Sequence, residues 1–75
     1  MKKAFLNARN LLCPLPVIRV QDRVKTMAAG DILKVVCTDP GALHDIPAWC
    51  RINGHRVLEM DSTDQEYAVV LQVGV

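Results

Sequence analysis

Cys13 stands in the tetrapeptide Cys13-Pro14-Leu15-Pro16, a setting that gives its thiol a physical reason to react. Proline is tolerated in the first turn of a helix, where backbone amides have no intrahelical partner, so Pro14 and Pro16 mark a helix start. That places Cys13 at or next to the N-cap. Free amides and the helix dipole at such an end favour thiolate over thiol, so Cys13 is expected to titrate below the ordinary value of about 8.5. Pro14 withholds one amide but fixes the chain and turns the sulfur outward. A thiolate is the nucleophile of thiol exchange and of sulfane-sulfur capture. No general base stands near it in sequence, and no Asn or Asp partner is spaced to suggest a Cys-His hydrolase. The pattern indicates relay of a group and not hydrolysis.

The other thiols read differently. Cys37 lies inside a β-branched run and Cys50 on the apolar stripe of a second helix, where free cysteine packs as a small hydrophobe. Three cysteines are an odd number in a chain whose start, MKKAFLNARN, does not read as a signal peptide. Reduced thiols in a cytoplasm are expected, not a disulfide framework. No CxxC pair occurs, and His44 and His55 lie too far apart for a zinc motif, so neither metal nor cofactor is expected. Both histidines read as surface or turn residues, and Trp49 as a buried wedge between helix and sheet.

Elements that would position Cys13 follow from periodicity. Lys3 to Ala8 alternates as a short first strand. Val17, Val20, Val24, Met27 and Ala28 recur at helical spacing, giving a first helix of about four turns closed by Gly30. Ile32 to Thr38 reads as a buried strand with Lys34 outward and Leu33, Val35 and Cys37 inward. Asp39-Pro40-Gly41 breaks it. A second helix lies between Ala42 and Asn53; Pro47 in its first turn would start it late, with Asp45 as cap, and Gly54 ends it. His55 to Asp61 and Glu66 to Val73 then flank the turn Ser62-Thr63-Asp64-Gln65 as a hairpin. The order predicts an α/β fold, a two-layer βαβαββ sandwich whose four-stranded mixed sheet packs two helices on one face. No linker or repeat divides the 75 residues, so 1–75 is expected to be one domain.

Composition narrows the function. Hydrophobic residues make up 51% of the chain and charged residues 23%, which excludes a disordered tail. A net charge of +1 and three aromatic residues supply neither the basic patch nor the stacking platform of a nucleic-acid binder. No apolar run approaches the roughly 20 residues that span a bilayer.

The stretch Asn7 to Pro16, ending in the CPxP of Cys13, Pro14 and Pro16, resembles the signature of the TusA/SirA-like family of sulfur carriers. The likeness continues in order through Met27-Ala28-Ala29-Gly30-Asp31, Thr38-Asp39-Pro40-Gly41-Ala42, Asp45-Ile46-Pro47-Ala48-Trp49-Cys50 and Gly54-His55. The family's fold is the same βαβαββ sandwich. The resemblance implies a sulfurtransferase of carrier type in which Cys13 carries sulfur as a persulfide, supplied by a cysteine desulfurase or rhodanese-like protein. An acceptor protein in tRNA thiolation, sulfur oxidation or cofactor synthesis would receive it. This chain has Asn7 and Asn10 where the family often has Asp and Gly. It also has Gln21 near the place of a common lysine, and a C-terminus without a basic residue. These departures bear on partner surfaces and not on the thiol.

Two alternatives differ in class: a nucleic-acid-binding or regulatory module of similar fold, resting on fold analogy alone, and a selenium-handling relay using the same nucleophile. Arg19 and Arg23, one helical turn apart, are candidate docking residues beside the Cys13 end. The mixed surface predicts transient docking by a monomer, with no stable nucleic-acid or membrane binding.

Overall fold

The computed structural model describes residues 2–74 and contains six elements: β1 (Lys3–Ala8), α1 (Leu15–Val24), β2 (Ile32–Cys37), α2 (Ala42–Asn53), β3 (Arg56–Thr63) and β4 (Glu66–Gln72). The sheet runs β1-β2-β4-β3. β1 and β2 are parallel, β4 is antiparallel to β2, and β3 closes the hairpin. The expected mixed α/β sandwich is the fold.

Period-two alternation decides which side chains meet the helices. On β2, Leu33, Val35 and Cys37 point inward and Lys34 is exposed; on β4, Val69 and Leu71 point inward. Val20 and Val24 of α1 and Ile46 and Cys50 of α2 complete one buried cluster with them. The two central strands are the most apolar, as a position between two neighbours demands.

Four features depart notably from the pattern, each for a local reason. Helix α1 has 10 residues instead of about four turns. The Thr26 hydroxyl and amide both donate to the Arg23 carbonyl, at 2.7 and 3.0 Å, and Met27 N–H bonds Val24 one residue short of helical spacing. Such hydroxyl competition for a backbone carbonyl ends helices. Met27 is left half-buried and Ala28 is exposed. Gly30, at φ 94°, lies in the turn beyond.

Helix α2 starts early, at Ala42, and keeps Pro47 inside. Asp39 makes this start possible: its carboxylate accepts the Gly41 N–H at 3.0 Å and its carbonyl accepts Ala42 N–H. Asp45 is therefore a first-turn residue and not the cap. The hairpin turn is also tighter than expected, because Ser62 and Thr63 belong to β3. Only Asp64 and Gln65 turn the chain, both at positive φ (44° and 66°), the geometry that suits strand twist.

His55 is the fourth difference. It is buried, its ring stacks on Trp49 with centroids 4.9 Å apart, and its Nδ1 accepts the Gly74 N–H at 3.1 Å. Trp49 itself is only half-buried: its ring packs against the core and covers His55. Asp31 is a second buried polar anchor. Its carboxylate accepts the Lys2 N–H at 3.0 Å and the Ala28 N–H at 2.9 Å, tying the start of β1 to the turn before β2.

Burial depresses the His55 pKa, so the neutral ring is the folded form. The unfolded imidazole, titrating near 6.5, takes up its proton first as pH falls. Stability is therefore expected to be full above about pH 7 and to decline through pH 6 and below. Denaturant melts between pH 8 and 5 check this; His55→Gln should flatten that part of the profile at a lower overall stability. Trp49→Ala should cost less than the 3–5 kcal/mol of a fully buried ring, roughly 1–2 kcal/mol, against about 2–5 kcal/mol for Leu33→Ala.

Candidate functional site

Parallel pairing of β1 with β2 brings Ala8 level with Cys37, so the loops leaving both strands emerge side by side. They are then stitched together. Asn10 N–H donates to the Thr38 hydroxyl at 2.8 Å, and Cys13 N–H donates to Asp39 Oδ2 at 3.0 Å. Asn10 takes φ 63°, a left-handed conformation that asparagine tolerates better than most residues. That physically accommodates Asn where the resembling family often has Gly.

Cys13 immediately precedes Pro14, which caps α1, and Pro16 is buried in the first turn. The Cys13–Pro14 peptide is cis. Among the described residues no side chain caps α1, so its first turn faces the loop unscreened. The Cys13 side chain is exposed, whereas Cys37 and Cys50 are buried; all three are free thiols. Burial pushes Cys37 up to about 11, with the Asp39 charge adding to it, and burial alone pushes Cys50 up to about 11.

The expected acidity of Cys13 is reversed. The Asp45 carboxylate, as hydrogen-bond acceptor for the thiol, holds it above its ordinary value; partial desolvation and the charges of Asp45 and Asp39 act in the same direction. Asp39 and Asp45 face each other across Gly41, where a Cβ would lie 3.4 Å from Asp39 Oδ1 and 3.7 Å from Asp45 Oδ2. The two carboxylates oppose the helix end, from which Pro14 has removed a donor. The thiol is the resting form.

Sequence spacing gave no sign of this pair, because Asp39 is 26 residues from Cys13 and meets it only through β1–β2 pairing. Arg9 and Arg23 are engaged away from the thiol. Arg9 makes a two-pronged ion pair with Glu66 at 2.9 and 3.2 Å, and Arg23 reaches the Phe5 carbonyl at 3.4 Å. Arg19 is exposed on α1. Around Cys13 the exposed groups are apolar instead: Leu12, 74% exposed, with Leu15 and Ile18 one turn apart on α1.

A family model described as sulfurtransferase TusA matches residues 4–73. A sulfur carrier protein TusA of Pseudomonas putida is 45% identical over 56 residues, covering 75% of this chain and 70% of its own length. A Pseudomonas aeruginosa protein of the same name is 39% identical over 64 residues, 85% of this chain and 81% of its own length. In fold, a SirA-like protein of Desulfitobacterium hafniense superposes with a TM-score of 0.84 at 20% identity, covering 96% of this chain and 99% of that one.

With Asp45 acting on the thiol, Asp45→Asn is expected to speed alkylation of Cys13 at neutral pH. The two proteins should converge at high pH, where both are thiolate. Iodoacetamide rates against pH measure this, and native protein should gain one adduct, on Cys13. Equal rates for Asp45→Asn and the parent at pH 7 would sink the assignment.

Proposed function

We propose that this chain, which belongs to the TusA sulfurtransferase family, carries sulfur as a persulfide on Cys13 and hands it from a donor protein to an acceptor protein. The observation that carries this reading is selective exposure: of three free thiols, only Cys13 reaches solvent, at the mouth of an uncapped helix start.

The chemistry balances without a cofactor. Asp45 or solvent takes the Cys13 proton, and the thiolate attacks the outer sulfur of a donor persulfide. One S–S bond forms at Cys13 as the donor's breaks, and the donor leaves as thiolate. The sulfane sulfur keeps its oxidation state. An acceptor nucleophile then attacks the outer sulfur and restores Cys13. With a resting thiol, transfer is gated by deprotonation, which guards the site against oxidation between encounters.

Leu12, Leu15 and Ile18 form the apolar part of the docking surface, with Arg19 at its outer edge and Arg23 tethered farther along α1. Donor and acceptor compete for this end because both must reach one sulfur. The reducing cytoplasm fits three free thiols, and no described helix is long and apolar enough to cross a membrane. Pathway candidates are tRNA thiolation, sulfur oxidation and cofactor synthesis.

Incubation with a desulfurase and cysteine, or a rhodanese and thiosulfate, followed by intact-mass analysis tests the role. One sulfur is expected to be gained, lost to reductant and absent in Cys13→Ser. Sulfur on Cys37 or Cys50 would overturn the site. Leu15→Ser with Ile18→Ser should slow loading from the protein donor while leaving alkylation of Cys13 unchanged.

A further inference from the structure

The helices cover one face of the sheet and leave the other open. The strand register lays out that open face in rows. One row holds Phe5, Lys34, Val70 and Glu59, with Leu58 at a bulge in β3; the next holds Asn7, Val36, Ala68 and Asp61. At its centre is a groove of about 490 Å³ lined by Phe5, Ile32, Leu58 and Val70 and by Lys3 and Lys34. Phe5 is 49% exposed and Leu58 44%. Phe5, Ile32, Leu58 and Val70 thus form an apolar strip set among charged residues.

Its charges are divided across the sheet. Lys3 and Lys34 stand on β1 and β2, Glu59 and Asp61 on β3, and among the described residues none of the four has an ion-pair partner. Glu66, at the far end, is taken by Arg9. We propose that a second copy of this chain covers this face, the two sheets stacking about a two-fold axis that runs along the strands. That axis lays β1 over the partner's β3 and β2 over its β4. Phe5 of each copy then meets the other's Leu58, and Lys34 of each lies beside the other's Glu59 and Asp61. An acidic ligand would satisfy the lysines alone; a second copy satisfies Lys34, Glu59 and Asp61 at once. Lys3 and Arg56 share the end row and face each other at the rim, where water screens like charges.

The size of the face sets the strength. Four strands about 4.8 Å apart and some five residues deep offer roughly 300–400 Å² per copy, below the about 800 Å² of a standard interface. The association is therefore weak, with a dissociation constant on the order of 0.1–1 mM. The chain is the expected monomer when dilute and pairs when concentrated or held together. The Cys13 end is outside the stacked faces, so each pair presents two thiols.

Sedimentation equilibrium with reductant at low salt, from about 10 μM to 1 mM, tests this. The mean mass should rise from 8.3 kDa toward twice that value. Phe5→Ser, Lys34→Glu alone, and Glu59→Lys with Asp61→Lys should each weaken pairing roughly tenfold or more. Mixing the last two variants should restore it, since each supplies the charge the other lacks. A mass fixed at 8.3 kDa up to about 1 mM overturns the proposal. So does association that Phe5→Ser leaves intact, which would mark edge-to-edge strand pairing, or a variant mixture that fails to associate. Circular dichroism of each variant confirms the fold.

Discussion

One carboxylate joins the two halves of the site. Asp39 accepts the amide of Cys13 with one oxygen and that of Gly41 with the other, both at 3.0 Å. The first bond fixes the loop that carries the thiol; the second begins α2. Because α2 starts there, Asp45 falls in its first turn, where its carboxylate raises the pKa of the Cys13 thiol. The position of Cys13, the start of a helix and the protonation of the thiol thus share a single hinge point. Its own placement depends on β1 lying parallel to β2, which makes the two strand ends neighbours.

This dependence explains what could be read from the chain beforehand. Strand β2 was legible because five of its six residues are apolar or small and only Lys34 interrupts them, the near-continuous run of a central, well-covered strand. The helix start at Pro14 and Pro16 was legible because proline geometry is local. The exposed thiol was legible for the same reason. Its titration direction was not, since the dipole argument counts only groups within a turn of the cysteine. The deciding charges come from another element, through a contact that no local spacing encodes. The late start expected for α2 failed similarly: Pro47 suggested a boundary, but Asp39, two residues before Gly41, had already supplied one.

His55 and Asp31 show a second kind of hidden information. Both are polar residues next to glycines in turns, and their types alone suggest solvent. Each is buried because it finds a backbone amide that would otherwise be orphaned, Gly74 for His55 and both Lys2 and Ala28 for Asp31. Buried polar side chains are retained where they satisfy such groups. No described buried side-chain polar atom lacks a partner, so the small core tolerates these anchors without an unsatisfied group.

The anchoring of Asp31 has a geometric consequence for how the molecule can be built upon. Ile32 N–H bonds Lys2, Gly30 N–H bonds Val73, and Val73 N–H bonds Asp31, so both ends of the described chain are gathered at one edge row of the sheet. Cys13 follows β1 at the opposite end, about six residues or roughly 20 Å along the strand. Polypeptide spliced on at either terminus would depart from the far pole and leave the sulfur's approach unobstructed. The architecture is that of a plug whose cable and contact are at opposite ends, so a tether at the first pole would leave the Cys13 loop unchanged.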